Sequence, residues 1–143
     1  MTLPFISKSA TKRVKDKLPP HEVCPYCEGR VELVSNEQIY GREYGDWPYV
    51  YLCRPCDARV GLHPYTDIPL GTLADNDLRE ARKSAKEPFQ SLWKGPFKRF
   101  DSRNEAYKWL ASEMNIPLEE CHFGWFDEAQ CAVAEQICRG MLP

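Results

Sequence analysis

The 143-residue sequence has almost no net charge, because 19 basic and 21 acidic residues leave a formal charge of −2. This balance excludes a strongly basic protein of the histone or ribosomal type and a strongly acidic mimic of DNA. No run of residues approaches the roughly 18 to 20 apolar residues that span a bilayer. The first twenty residues also lack the apolar core of a signal peptide. We therefore expect a protein of the reducing cytoplasm that does not enter a membrane.

Familiar catalytic and nucleotide-binding motifs are also missing. The sequence has no G-x-S-x-G, Walker loop, H-E-x-x-H or G-x-G-x-x-G. No cysteine and histidine stand in a context that suggests nucleophilic catalysis. We expect a protein that is not an enzyme. A site around His63, Asp67, His122 and Asp127 is the minor enzymatic alternative.

The chain does have the apolar content of a folded protein, with 43% hydrophobic and 12% aromatic residues. Its pattern predicts an α+β fold in three parts. Residues 1–20 are expected to be a flexible basic tail, and residues 21–70 a small antiparallel β module in which Ile39 and Tyr40 belong to a strand. Residues 71–143 are expected to be a bundle of about three helices packed on that module.

Several local signals predict where the helices begin and end. Thr72 and Asp75 resemble a capping box, which predicts a helix starting directly after Thr72. Pro88 predicts a kink or a junction between two helices. Ser102 and Asp127 are expected to cap the N-termini of the last two helices, because each is followed three residues later by Glu or Gln.

Cysteine spacing is the strongest chemical signal in the sequence. Cys24 and Cys27 form one C-x-x-C pair, and Cys53 and Cys56 form a second. Two such pairs are typical of a four-thiolate zinc site, because each tight turn presents two sulfurs to one ion. A redox pair and an iron–sulfur cluster are the competing interpretations. We predict one structural zinc ion, although Asp57 stands where a small residue is more usual.

The remaining cysteines and histidines are not expected to bind metal. Cys131 and Cys138 fall on the apolar stripe of the last predicted helix, where a free cysteine behaves as a small buried hydrophobe. The other alternative ligands are His21, His63, Cys121 and His122.

Charge is distributed unevenly along the chain. The net charge is +4 over residues 1–20, −6 over 21–78, +5 over 79–108 and −5 over 109–143. The two basic blocks predict a surface for nucleic acid or for an acidic protein partner. A solvated helix face with offsetting charges is the alternative explanation of the second basic block. The candidate contact residues are Lys12, Arg13, Lys15, Lys17, Arg79, Arg82, Lys83, Lys86, Lys98 and Arg99.

Aromatic residues favour two different kinds of partner. Phe89, Trp93, Phe97 and Phe100 are interleaved with the second basic block. They can provide stacking faces for nucleic-acid bases, or they can form the buried face of a helix. The alternative function is that of a protein–protein interaction factor that modulates another protein. Its candidate contact residues in the β module are Tyr26, Tyr44, Trp47 and Tyr49.

One combination of motifs resembles a known family. The sequence contains, in this order, CPYC, IYGREYG, YVYLCRPCDARVGLH, PLGTLADNDLREARKSAKEPFQSLWK and RNEAYKWLASEMNIPLEECHFGWFDEAQC. This succession resembles a zinc-finger-containing family of unknown function found in phages and prophages, over about residues 22–139. The resemblance implies a zinc module fused to a helical tail in a phage-encoded protein of the bacterial cytoplasm, and it implies no activity. We therefore expect a phage or prophage protein that binds nucleic acid and in which residues 21–70 form a zinc ribbon. In the alternative function, the protein binds and modulates a host or phage protein.

Overall fold

The computed structural model describes residues 2–143, which form two compact units. The β unit runs up to Asn76 and contains all three strands, and the helical unit is Asp77–Pro143. The chain is therefore α+β, as predicted. Within the described residues, no helix combines the length and the apolar content that crossing a membrane requires.

A three-stranded antiparallel sheet forms the centre of the β unit. The strands β1 (Glu32–Ser35), β2 (Tyr49–Cys53) and β3 (Ala58–Gly61) are adjacent in that order. Tyr51 lies opposite both Leu33 of β1 and Val60 of β3, so these three side chains share one face of the sheet. The core that includes this face consists of Cys24, Val31, Tyr51, Cys53, Ala58, Leu62 and Leu73.

The outer edge of β3 is filled by the chain itself. Arg59 exchanges backbone hydrogen bonds of 2.9 and 3.2 Å with Ala74, and Leu62 forms a bridge with Pro69. Residues 69–74 therefore lie beside β3 and bend at residues 70–72 between these two contacts. Their backbone groups complete the hydrogen bonding that β3 would otherwise leave to solvent.

The first helix of the helical unit differs from the sequence prediction at its start and at Pro88. α3 spans Asn76–Ser91 and does not begin directly after Thr72. The predicted start is wrong because Ala74 is paired with β3. The helix also continues through Pro88 for three more residues, so the alternative of two helices that meet there is wrong, and the alternative of a kink at Pro88 stays a prediction. Proline is tolerated in this last turn because it removes one N–H bond close to the helix end.

A short helix occupies the connection between β1 and β2. α2 is Glu37–Tyr40, so the strand predicted for Ile39 and Tyr40 is wrong. Gly41 ends the helix with a positive φ of 83°, a conformation that glycine adopts without a Cβ clash. The Asn36 side chain then closes the connection, because it donates to the carbonyl of Tyr44 at 3.0 Å and accepts from the Tyr44 N–H at 3.1 Å.

The segment predicted to be a flexible tail contains a helical turn. α1 is Lys8–Arg13, and the Ser7 hydroxyl caps it by accepting from the Ala10 N–H at 3.1 Å. The Ser7 N–H donates to the carbonyl of Tyr65 at 2.8 Å, which ties the start of α1 to the β unit. The flexibility of residues 1–20 stays a prediction.

The last two helices begin at the predicted caps. α4 is Arg103–Met114 with Ser102 as its cap, and α5 is Glu128–Gly140. Asp127 accepts from the Gln130 N–H at 2.8 Å, and the Gln130 side chain accepts from the Asp127 N–H at 3.0 Å. This reciprocal pair is a complete capping box. The fully buried side chains of the helical unit include Phe89, Leu92, Leu110, Phe126, Ala134 and Cys138.

Candidate metal centre

The four cysteines of the two C-x-x-C pairs come together in the β unit. The Sγ atoms of Cys24, Cys27, Cys53 and Cys56 all lie within 4.8 Å of one another, and those of Cys27 and Cys53 are 3.5 Å apart. A tetrahedral zinc ion with bonds of about 2.3 Å to sulfur separates its ligand atoms by about 3.8 Å. The four cysteines are therefore arranged to bind one zinc ion, and their thiolate chemistry suits it.

Each cysteine pair lies in a tight turn that the backbone closes. In the first turn, the Cys24 N–H donates to the Gly29 carbonyl at 2.8 Å, and the Glu28 N–H donates to the Cys24 carbonyl at 2.9 Å. In the second turn, Cys53 and Ala58 lie opposite each other at the end of the β2–β3 ladder. The two residues between the cysteines of each pair thus form the tip of a turn, which places both sulfurs on the same side.

Backbone N–H groups point at the sulfurs and affect the pKa of one thiol. The Tyr26 N–H donates to Cys24 Sγ at 3.4 Å, and the Gly29 N–H donates to Cys27 Sγ at 3.3 Å. Hydrogen bonding from Cys56 and from the Gly29 N–H lowers the pKa of Cys27 to about 7. The same contact with Cys27, together with burial, raises the pKa of Cys56 to about 12. Cys27 therefore has a lower pKa than Cys56 when no metal is bound.

The histidines considered as alternative ligands have other contacts. The Nε2 atom of His21 lies 2.8 Å from the carbonyl oxygen of Gly71, and its ring packs edge-on against Tyr51. His63 is half-buried, and its backbone N–H donates to the Ile68 carbonyl at 2.9 Å. Among the described residues, the group of potential ligands consists of the four cysteines alone.

The three other cysteines are buried in the helical unit. Cys121 and Cys131 are each 2% exposed, and Cys138 is fully buried. Burial raises the pKa of Cys121 and Cys131 to about 11 and that of Cys138 to about 12. These thiols stay protonated at neutral pH and pack as apolar side chains, as predicted for Cys131 and Cys138.

The comparison with protein families agrees with this geometry. A family model for a zinc-finger-containing domain matches residues 20–141. The chain belongs to this zinc-finger-containing family. No curated protein and no solved structure matches the chain. Family membership supports zinc as the ion, and the arrangement of the four sulfurs identifies the residues that can bind it.

In this zinc-finger protein, four of the predicted nucleic-acid contacts lie on α3. Arg79, Arg82, Lys83 and Lys86 are spaced i, i+3, i+4 and i+7, which places them on one side of the helix. Lys83 and Lys86 are exposed, whereas Arg79 and Arg82 are half-buried. Arg82 Nε donates to the carbonyl of Phe126 at 3.1 Å. Arg82 therefore has a structural contact within the helical unit that its sequence position did not reveal.

The other six predicted contact residues are all exposed. Two lie in the connection between α3 and α4, and four lie on α1 or shortly after it. They are Lys98, Arg99, Lys12, Arg13, Lys15 and Lys17.

The aromatic residues predicted for protein contacts divide into two groups. Tyr26 and Tyr44 are 45% and 48% exposed. Trp47 and Tyr49 are half-buried, with their ring centroids 4.9 Å apart. Tyr40, which sequence reasoning assigned to a strand, is 55% exposed and packs edge-on against Tyr44.

Sequence reasoning missed the residues that pack against Trp47. Phe5 and Tyr65 lie 5.2 and 5.3 Å from it, measured between ring centroids, and the Trp47 indole N–H donates to the Thr66 carbonyl at 2.9 Å. The apolar cluster from Leu3 to Ile6 is the available signal. It does not identify the contact, because nothing in the sequence pairs Phe5 with residues so distant along the chain.

Proposed function

We propose that this protein is a zinc-stabilised binding module that associates with nucleic acid. The observation that carries the proposal is the exposure of two lysines on one side of α3. Lys83 and Lys86 are exposed on the same side of the helix as Arg79 and Arg82. Exposed cations arranged along a rigid helix can contact successive phosphates, whereas the net charge of the whole chain is close to zero.

We also propose that the protein is not an enzyme. Four thiolates complete the tetrahedral coordination of zinc and leave no position for water or substrate. Two residues of the minor enzymatic alternative have structural contacts, since Asp127 caps α5 and the ring of His122 packs against Trp125 at 4.8 Å. A structural zinc ion then acts as a crosslink between two turns of the β unit.

Charge reversal on α3 tests the nucleic-acid proposal. We expect the Lys83→Glu, Lys86→Glu double variant to bind a labelled DNA duplex at least about tenfold more weakly, because each lysine that contacts a phosphate contributes about one unit to the salt slope. Fluorescence anisotropy at several salt concentrations measures both the affinity and that slope. Arg82 is left unchanged because its substitution would break the contact with Phe126.

The matched control for each single variant, Lys83→Glu or Lys86→Glu, is Lys108→Glu, which reverses one charge at an exposed lysine of α4 outside the predicted contact set. It should bind nearly as well as the wild-type protein. Zinc content and circular dichroism establish that every variant is folded. The proposal is wrong if the wild-type protein binds neither duplex nor single strand at low salt.

A protein-binding function is the second candidate, and the exposed pair Tyr40 and Tyr44 favours it. The guanidinium of Arg42 lies 4.5 Å from the centre of the Tyr44 ring, so this patch combines aromatic area with a cation. Copurification of one protein in fixed stoichiometry, insensitive to moderate salt and abolished in a Tyr40→Ala, Tyr44→Ala variant, would support it.

We propose further that the protein acts in the cytoplasm of a bacterial host as a phage or prophage product. This proposal rests on the motif resemblance described above. Detection of the protein in the soluble fraction of infected or lysogenic cells would support it, and its absence from such cells at every stage would contradict it.

A further inference from the structure

The chain around the connection between α3 and α4 has an unusual composition, because it contains basic residues and no acidic residue over a long stretch. Residues 88–100, which cover the last turn of α3 and the connection as far as Phe100, include no acidic residue, whereas they include Lys94, Lys98 and Arg99. All three cations are exposed. We call residues 94–99 the Phe97 loop. Such a segment presents local positive charge although the chain as a whole is slightly acidic.

Backbone hydrogen bonds close the Phe97 loop at its base. The carbonyl of Leu92 accepts from the N–H groups of both Arg99 and Phe100, at 2.7 and 2.9 Å. Gly95 has a φ of 97°, which turns the chain at the end of α3, and Pro96 follows with a restricted φ. Because Leu92 is fully buried, the base of the loop is anchored in the core of the helical unit.

Phe97 differs from the other aromatic residues of this region in its exposure. Phe89 is fully buried, and Phe100 is half-buried with its ring 5.2 Å from that of Trp109. Phe97 is 56% exposed. Phe97 lines a shallow hollow of about 260 Å³, together with Pro96, Lys98, Arg99 and Pro143. Packing of the local core therefore accounts for Phe89 and Phe100 and leaves the Phe97 ring available to a ligand.

An exposed phenyl ring among cations fits a particular kind of ligand. The cations favour a polyanion, and the ring favours a planar apolar face. An unpaired nucleotide offers both, because its base is free to stack while the adjacent phosphates meet lysine or arginine. In a duplex, each base face is already covered by the neighbouring base pair.

We propose that the Phe97 loop binds single-stranded nucleic acid, with one unpaired base stacked on Phe97 and the flanking phosphates near Lys94, Lys98 and Arg99. This inference rests on the proposed nucleic-acid function and adds the class of substrate and the stacking residue to it. The closed backbone fixes the course of the loop before binding, which reduces the entropy cost of ordering the loop when the base docks.

Substitution of Phe97 in the full-length protein tests this inference. Phe97→Ala should bind a labelled oligothymidylate roughly 5- to 150-fold more weakly, the range expected when one base–aromatic stack is removed. Its affinity for a duplex and its salt slope should stay unchanged. Phe97→Leu should bind nearly as weakly, because leucine keeps apolar area but has no stacking face, and Phe97→Tyr should retain most of the affinity.

Phe5→Ala is the matched control, because Phe5 is 55% exposed and lies in the β unit. This variant should bind oligothymidylate as the wild-type protein does. A Lys98→Gln, Arg99→Gln variant should instead reduce the salt slope, by about 0.7 for each phosphate that the protein no longer neutralises. Zinc content and circular dichroism check the folding of each variant.

The outcomes separate the two proposals. Wild-type protein that binds neither form of DNA overturns the proposed function and this inference together. Wild-type protein that binds DNA while Phe97→Ala binds oligothymidylate equally well overturns this inference alone. If Phe97→Leu binds as tightly as the wild-type protein, or if Phe97→Ala loses binding to anionic phospholipid vesicles but not to oligothymidylate, the ring serves another apolar contact and the inference is also wrong.

Discussion

At the scale of single residues, Glu28 and Asp57 occupy equivalent positions, each directly after the second cysteine of a pair. Both have left-handed backbone, with φ of 63° and 57°. Aspartate is tolerated there because its short side chain can hydrogen-bond locally, and Asp57 accepts from Arg59 at 2.8 Å. The aspartate that looked unusual in the sequence therefore suits its conformation. Glutamate, with a longer side chain, suits it less.

Glycine at position 28 should consequently stabilise the protein. We expect Glu28→Gly to raise the free energy of unfolding of the zinc-loaded protein by roughly 0.5–1 kcal/mol, because removal of the Cβ relieves a left-handed penalty larger than the entropy that glycine loses on folding. Urea denaturation in the presence of zinc measures the change.

The control for this change is Glu43→Gly. Glu43 is exposed and is not among the residues with positive φ, so glycine there should leave stability equal or lower. Equal shifts in the two variants would show that backbone conformation at Glu28 is not the cause.

At the scale of elements, the start of a helix was predictable from the sequence where the residues that determine it are close together along the chain. α4 and α5 begin at Ser102 and Asp127 because each cap bonds to a backbone N–H three residues ahead, which the sequence displays directly. The start of α3 depends instead on the pairing of Ala74 with Arg59, a contact between distant residues. Thr72 carries the signal of a cap, yet tertiary hydrogen bonding keeps the following residues extended.

Removal of the α5 cap should destabilise the helical unit. We expect Asp127→Ala to cost about 1 kcal/mol, because the Gln130 N–H loses its acceptor and the reciprocal bond of the capping box is no longer supported. Chemical denaturation followed by far-ultraviolet circular dichroism measures this destabilisation. Glu128→Ala, which removes an exposed carboxylate from the same turn, should cost only a few tenths of a kcal/mol. Similar costs in the two variants would contradict a specific role for the cap.

At the scale of the whole molecule, zinc has a different relation to each unit. Two of its ligands, Cys24 and Cys53, are fully buried members of the core of the β unit. A sheet of this size buries little apolar area, so metal binding, on the order of 10 kcal/mol in zinc-finger peptides, should supply much of its stability. The buried side chains of the helical unit include no member of the zinc set.

Chelation of zinc should therefore unfold the β unit first. With excess chelator, we expect amide hydrogens of β2 and β3 to lose protection from exchange while those of α4 and α5 retain it. Hydrogen exchange followed by mass spectrometry of peptides resolves the two units. Simultaneous loss of protection in β2 and α5 would contradict this prediction, and return of protection after zinc is added back is the control.

The site was predictable where it depended on spacing and not where it depended on tertiary contacts. The four ligands follow from two C-x-x-C pairs, because a turn of that length fixes the relation between its sulfurs. The contact of Arg82 with Phe126 joins residues 44 positions apart, so no local pattern in the sequence predicts it. The contact of Phe5 with Trp47 was not predictable for the same reason. Exposure of Phe97 also required the structure, because its sequence context matches that of Phe100.

The asymmetric edges of the sheet limit how copies of this protein can assemble. Residues 69–74 already fill the outer side of β3, and among the described residues no strand pairs with the outer side of β1. The Glu32–Arg54 ion pair of 2.7 Å places charge beside this free edge, which discourages uncontrolled pairing. Two copies joined through β1 would use the free edge of each and leave none for a third. Pairing of copies through strand edges alone would therefore stop at two copies and would not propagate into a fibre.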